Sequence, residues 1–567
     1  MCKEYRMTAS RVTFVTGKKV IIFLQDIIRF SKITEWERCR VNRPSFLHGA
    51  LILMISGLVT RIMGFVYRVF LTRIIGAEGM GLFQIVFPIL GLVLTLVTAG
   101  LPLAISKLVA EAIAQNDKAR VKRIMGVSVG VVSVMTVILT VLMYTCRGFI
   151  EHHWLSDARA FPTYLTMIPL VSIIAISSLY RGYFQGLQDM SPTAWGQILE
   201  QTVRIISIWI LAAYFIQYSL EYAAAAAMMG MVLGEFCGML FLVASQRRRG
   251  RLDSVLPNGA TRSRETVRQT LHAMGEIALP VTLSKLIWSV LFAAEPILVM
   301  RALKAAGFTT STATALYGQY SGMAIPLLVF PTVFTGSLAT NLVPSVSEAV
   351  AASERFRVRI RLSQSFTATA MVAFPSAVVL TMFAGPLTHY IYKEDSIGPI
   401  LAVMAPFMFL LCLQAPLTGI LQGLNKAGVA MVNSIIGGVL KLLLIYLLAS
   451  KPTMGILGVS MATAASFTVS CLLNLWFVVH YVGFTIRLQA LTRVALASCG
   501  MFMYMQVITW HKTPLPFGSM MLAILGGFIL YFGLLCALRV LTTRNIRRVP
   551  RVGPWLARLV ARMPFAV

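Results

Sequence analysis

The sequence is short of charge, and shorter still of acid. Only 13% of its 567 residues are charged, and 21 Asp and Glu stand against 50 Lys and Arg, a net charge of +29. A soluble globular chain carries about 25% charged residues, so this charge content, with 57% hydrophobic residues, excludes an ordinary soluble fold. The eight cysteines are scattered without a CxxC pair, which indicates neither a disulfide framework nor a zinc site. Seven histidines show no HExxH spacing, and no GxxxxGK[ST] or GxGxxG loop follows a strand, so no metal centre and no nucleotide-driven engine is indicated. No signal-peptide core is expected from the apolar patch at 20–28, which is short and interrupted by Asp26. In a chain this apolar, the basic excess points to loops held at anionic phospholipids rather than to nucleic acid.

What the chain does have is apolar runs of spanning length, about 17 to 25 residues. They fall at 48–75, 82–107, 124–144, 164–180, 195–216 and 223–244, then at 277–300, 316–342, 366–390, 400–421, 429–448 and 455–479, with a last pair at 494–510 and 520–541. The expectation is an all-α integral membrane protein of about fourteen helices. Segments on the side of the N-terminus hold 36 Lys and Arg against seven on the other side, which predicts cytoplasmic termini by the positive-inside rule.

The basic linker 245–275, with RRRGR at 247–251, divides the chain into a lobe at 48–244 and a lobe at 276–480. An extra helix pair follows at 481–541, and basic tails lie at 1–47 and 542–567. The lobes resemble one another. Gly182-Tyr183-Phe184-Gln185-Gly186-Leu187-Gln188 recurs as Gly419-Ile420-Leu421-Gln422-Gly423-Leu424-Asn425, an offset of 237 that also aligns Arg204 with Lys441. At an offset of 241, Leu101, Ile105 and Ser106 match Leu342, Val346 and Ser347. Two parallel six-helix repeats around a central cleft follow, with substrate expected between them.

The first span is out of keeping with its surroundings, because SGLVTRIMGFVYRVFLTRIIGAEGMGLF puts Arg61, Arg68 and Arg73 into apolar sequence. An arginine at mid-membrane costs roughly 2.5 to 3.5 kcal/mol and persists where it meets water, a partner or an anion. Arg61 and Arg68 return to within about 20° of one helix face, and Arg73, beside Gly76, reads as an interfacial anchor. Other charges within spans are Arg204, Lys285 and Lys441, with Glu200, Glu235 and Glu295. Glu200 and Arg204, spaced i,i+4, are read as a pair, structural or functional. Lys285, Trp288, Phe292 and Glu295 share one broad face of the seventh span.

These motifs, with AGLPLAISKLVAE and the paired GYFQGLQ and GILQGLN turns, resemble the stage V sporulation protein B group of the multidrug/oligosaccharidyl-lipid/polysaccharide (MOP, MATE-like) exporter superfamily. The T-R-x-x-G-F start followed by R-x-x-G-A is also similar to the MurJ lipid II flippases, matching Arg61 and Arg73; where an acid follows in those, Tyr67-Arg68 stand here. The resemblance implies a flippase in the bacterial cytoplasmic membrane, not an enzyme, moving an undecaprenyl-diphosphate-linked oligosaccharide or muropeptide. Arg61, Arg68 and Lys285 are the expected headgroup site, Arg204 and Lys441 secondary candidates, and Glu295 the acid that would bind Na⁺ or a proton if transport is ion-coupled. A MATE-type cation antiporter and a membrane enzyme polymerising lipid-linked sugars are the competing readings.

Overall fold

In hydrocarbon a chain must satisfy its own backbone N–H and C=O groups, so long apolar runs become helices. In the computed structural model the protein is all-α, described for residues 46–98, 100–248, 265–483, 487–510 and 515–541. The tail at 1–45, the linker core with its RRRGR stretch and the tail at 542–567 lie outside the described residues or at their edge.

The first half comprises α1 (Phe46–Thr98), α2 (Leu101–Ala114), α3 (Lys118–Thr145), α4 (Phe161–Gly186), α5 (Ser191–Phe215) and α6 (Leu220–Arg248). The long α7 (Val267–Ala305) opens the second half. It is followed by α8 (Thr310–Val329), α9 (Thr332–Ala351), α10 (Arg355–Met382), α11 (Ala384–Tyr392), α12 (Ile397–Gly423), α13 (Ala427–Ala449) and α14 (Gly455–Val482). A final pair, α15 (Leu488–Thr509) and α16 (Phe517–Ala537), packs beside α10.

Among the described residues, twelve helices are long and apolar enough to cross a membrane, or thirteen with α8 and α9 taken as one span bent by 58°. Fourteen spans were expected. The first of the twelve is a stretch of 60 residues, Ile55–Ala114, that covers two predicted spans. It turns at Gly76, where φ is 67° and ψ −172°, a conformation open to glycine and costly for residues with a Cβ. The linker is shorter than its expected 245–275, because α7 starts at Val267 behind a Thr266–Gln269 capping box. Arg120 grips Glu265 just ahead of that cap, with Nε and Nη2 both 2.9 Å from its carboxylate.

The repeat register is sharper in three dimensions. Gly182 abuts Pro102 and Gly186 abuts Ser106 and Val109; Gly419 abuts Ala339 and Gly423 abuts Val343 and Val346. Every pair is 237 residues apart, as are the left-handed residues Asn116 and Ser353, and Gln188 and Asn425. The 241 offset inferred for Leu101, Ile105 and Ser106 is therefore one helical turn too long. An apolar helix face repeats after four residues, so the sequence match was nearly as good a turn away.

Candidate functional site

Among the described residues, four polar groupings hold the charges that the sequence places in or beside the spans. The first is the stripe on the arm of α1 before Gly76. Arg61 is exposed, and its guanidinium lies 3.9 Å from the place a Cβ would take on Gly336 of α9. Above it the rings of Phe65 and Phe330 meet at 5.6 Å, at the elbow between α8 and α9. Arg68 is half-buried, within electrostatic reach of Tyr67, Tyr392 and Arg204. Lys285 lies on the exposed side of α7, one turn before Ser289, whose hydroxyl meets Thr95 of the first half at 3.2 Å.

The second grouping changes the reading of Glu295. Expected on the cleft face as an acid for a coupling ion, it is buried, and the cation beside it is the chain's own Lys441, with Nζ 2.5 Å from Oε1. Tyr320 donates its hydroxyl to the same oxygen at 3.2 Å and meets Thr463 at 2.7 Å. Tyr320 sits in a wide i→i+5 turn of α8, Gly318–Ala324, a feature frequent at functional sites. The sequence offered no acid within a turn of Lys441, so this pairing required tertiary structure.

The third lies at the equivalent place in the first half, around Arg204. Its Nη2 is 2.7 Å from Glu200 Oε1 and 3.5 Å from Glu235 Oε1. Arg181 Nη2 bridges the same acids, 3.0 Å from Glu200 Oε2 and 3.5 Å from Glu235 Oε2. Arg181 lies one residue past the span expected at 164–180; α4 runs on to Gly186 and carries it into the bundle. A readable signal did exist: Gly230, Gly234 and Gly238 form a small-xxx-small ridge around Glu235. A Cβ on Gly234 would come within 2.7 Å of the Glu200 carbonyl, so glycine lets α6 approach α5 closely enough for the acids to share two arginines.

The fourth grouping joins the halves at the Gly76 end. Arg73 donates to the carbonyls of Ile391 and Tyr390 at 2.8 and 2.7 Å, so the expected interfacial anchor holds backbone of the other half. Arg159 Nη1 reaches Glu78 at 2.7 Å and its Nη2 reaches Asp157 at 2.8 Å. From the second half Thr314 donates to Asp157 at 2.7 Å, Ser311 donates to Glu78, and Lys304 donates to the Ser156 carbonyl at 3.1 Å. Burial pushes the Asp157 carboxyl up, but hydrogen bonds from Arg159 and Thr314 outweigh it and hold it below the usual range. Chemically, this end is shut by direct bonds while the stripe holds two cations.

Family models, curated relatives and solved structures match this chain. A family model described as polysaccharide biosynthesis protein matches residues 46–350, and one described as MatE matches 296–447. The chain is 36% identical to the stage V sporulation protein B of Bacillus subtilis (strain 168), covering 91% of this chain and all of that one. It is 25% identical to the lipid II flippase MurJ of the same organism, over 82% of this chain and 88% of the relative. The solved inward closed structure of a lipid II flippase MurJ superposes with a TM-score of 0.65 at 13% identity, covering 85% of this chain and 98% of that one. An inward-facing MATE multidrug transporter of the MOP superfamily gives 0.62 at 15% identity, covering 76% and 98%.

Proposed function

Because the chain belongs to the polysaccharide biosynthesis protein family, we propose that it is a flippase carrying a lipid-linked cell-envelope precursor across the cytoplasmic membrane by alternating access. The reading takes the headgroup to be an undecaprenyl-diphosphate-linked muropeptide or polysaccharide unit. It takes both termini as cytoplasmic, with the basic tails resting on anionic phospholipid. The Gly76 end is then the outer end, held shut, and the substrate enters from the cytoplasmic leaflet.

The observation that carries the reading is an imbalance of charge. Glu200, Glu235 and Glu295 each have a basic partner within 3.5 Å. Arg61 and Arg68 have no acidic partner among the described residues, so the stripe between the halves keeps two positive charges. A diphosphate supplies the missing anion, and a guanidinium engages phosphate oxygens in a bidentate fork. Lys285 is assigned to the same headgroup as a point charge, since α7 holds the place in the second half that α1 holds in the first.

The MatE match and the MATE-like fold favour a second reading, a cation antiporter. A cationic drug needs a free carboxylate, and these three acids are already engaged. The test is leaflet-resolved transport of a labelled lipid-linked precursor in proteoliposomes, with and without ion gradients. Precursor that stays in its original leaflet while a lipophilic cation is expelled would decide for the antiporter.

A further inference from the structure

The quartet Arg181, Glu200, Arg204 and Glu235 is more than helix glue. Both acids are buried, with side chains 7% and 8% exposed, and both share the same two guanidinium nitrogens, so their carboxyl groups lie a few ångströms apart. Two ionised carboxyls at such separation in a low-dielectric interior repel strongly, which favours a proton on one of them. The distances say which. Glu200 is held at 2.7 and 3.0 Å, whereas both contacts of Glu235 are 3.5 Å.

The arginines are also underused. Each spends its Nη2 on both acids and leaves its Nε buried without an acceptor. A saturated structural lattice would pair fork with carboxylate, and a half-satisfied buried network is costly. We propose that this quartet is a proton-binding site within the membrane, with Glu235 as the group that takes up and releases the proton. Glu200, at 2.7 and 3.0 Å, serves as the counterion of Arg204 and Arg181.

The step balances as a proton transfer. Hydronium gives up a proton and becomes water, the proton forms an O–H bond to one oxygen of the Glu235 carboxylate, and the neutral quartet becomes singly positive. A metal ion is a poor occupant, because two guanidinium groups already flank the carboxylates and would repel it. The groups facing Glu235 are Arg181 from α4 and Glu200 and Arg204 from α5; behind Arg204, on α1, stand Tyr67, whose ring lies 5.9 Å from the guanidinium, and Arg68. Proton uptake therefore adds positive charge directly behind the stripe. It also loosens Arg181, the more exposed of the two arginines at 27% against 11%.

The test needs no transport assay, so its outcome is separate from that of the flippase reading. Full-length protein in liposomes is titrated from about pH 5 to about pH 9, a range that covers buried glutamates, and followed by infrared difference spectroscopy. A carboxylic C=O band should grow on acidification, be absent from Glu235→Gln and persist in Glu295→Gln. Thermal unfolding checks that each variant is folded. If Glu235→Gln is not, Glu235→Asp replaces it, and its band should shift in frequency. A titrating band that is unchanged in whichever Glu235 variant folds, or no titrating carboxylic band in the wild type, overturns the assignment.

Discussion

Arg73, on the first helix of one half, donates two hydrogen bonds to the last carbonyls of α11, at Tyr390 and Ile391 in the other half. A cation at a helix C-terminus also meets the negative end of the helix dipole. The contact ties the halves at the end that must part if the cleft is to open there.

Arg73→Ala should therefore act on conformation rather than on binding. Hydrogen bonds to a charged group contribute roughly 1.5 to 3 kcal/mol each, less where water reaches them, so opening at this end should rise by about tenfold. Thiol labelling from outside, at a single cysteine placed in the cleft of a cysteine-free background, measures it. Unchanged labelling would mean that Arg73 is only an anchor.

Arg61→Ala should abolish complementation of a flippase-deficient strain at normal abundance, with headgroup binding weakened roughly tenfold to a hundredfold. Arg61→Lys should recover part of it, because the charge remains and the fork does not. Normal transport by Arg61→Ala would move the headgroup site away from the stripe.

Removing one partner of the buried Lys441–Glu295 pair should cost about 3 to 5 kcal/mol, because the other charge is left unpaired. Lys441→Met should lower the unfolding temperature sharply, and Lys441→Met with Glu295→Gln should recover much of the loss. Glu295→Gln should leave any Na⁺ dependence of transport unchanged, since the acid already holds a cation. A double variant no more stable than the singles would show that the pair is not an isolated unit.

The Asp157 carboxyl is held below its usual range, and the sign of its pH dependence follows. A depressed folded value means that the carboxylate stabilises the closed end above its unfolded value of about 3.9. That contribution is lost as the pH falls through the folded value. Outside labelling of the cleft should therefore be flat at neutral pH and rise in strong acid. Asp157→Asn should raise labelling at neutral pH; equal labelling of wild type and variant would remove the residue from the closure.

Gly234→Val should separate α5 from α6, since even its Cβ would meet the Glu200 carbonyl at 2.7 Å. Overpacking of this kind costs about 1 to 3 kcal/mol. A calorimetric melt in detergent reads it, and a melt equal to wild type would show that α6 can shift without loss.

Much of the fold was legible because a bilayer imposes length and apolarity on every span, and those survive in a single sequence. The duplication was legible at GYFQGLQ and GILQGLN, where glycine is required by close helix contact. The register of α2 against α9 was not, since an apolar helix looks alike one turn on. Paired charges were the least legible part. Glu200 and Arg204 share a helix and could be paired from spacing, but Arg181 and Glu235 join them across two further helices. Glu295 finds Lys441 only once α7 packs against α13.

The constant spacing of Asn116 with Ser353 and of Gln188 with Asn425 bears on how such a chain ages. The two copies differ at most positions, yet between these landmarks neither has gained or lost a net residue against the other. Substitution has been cheap and insertion has not. A membrane of fixed thickness acts as a ruler on both copies, so the lengths of their helices and turns keep a record of common descent after most of the letters have changed.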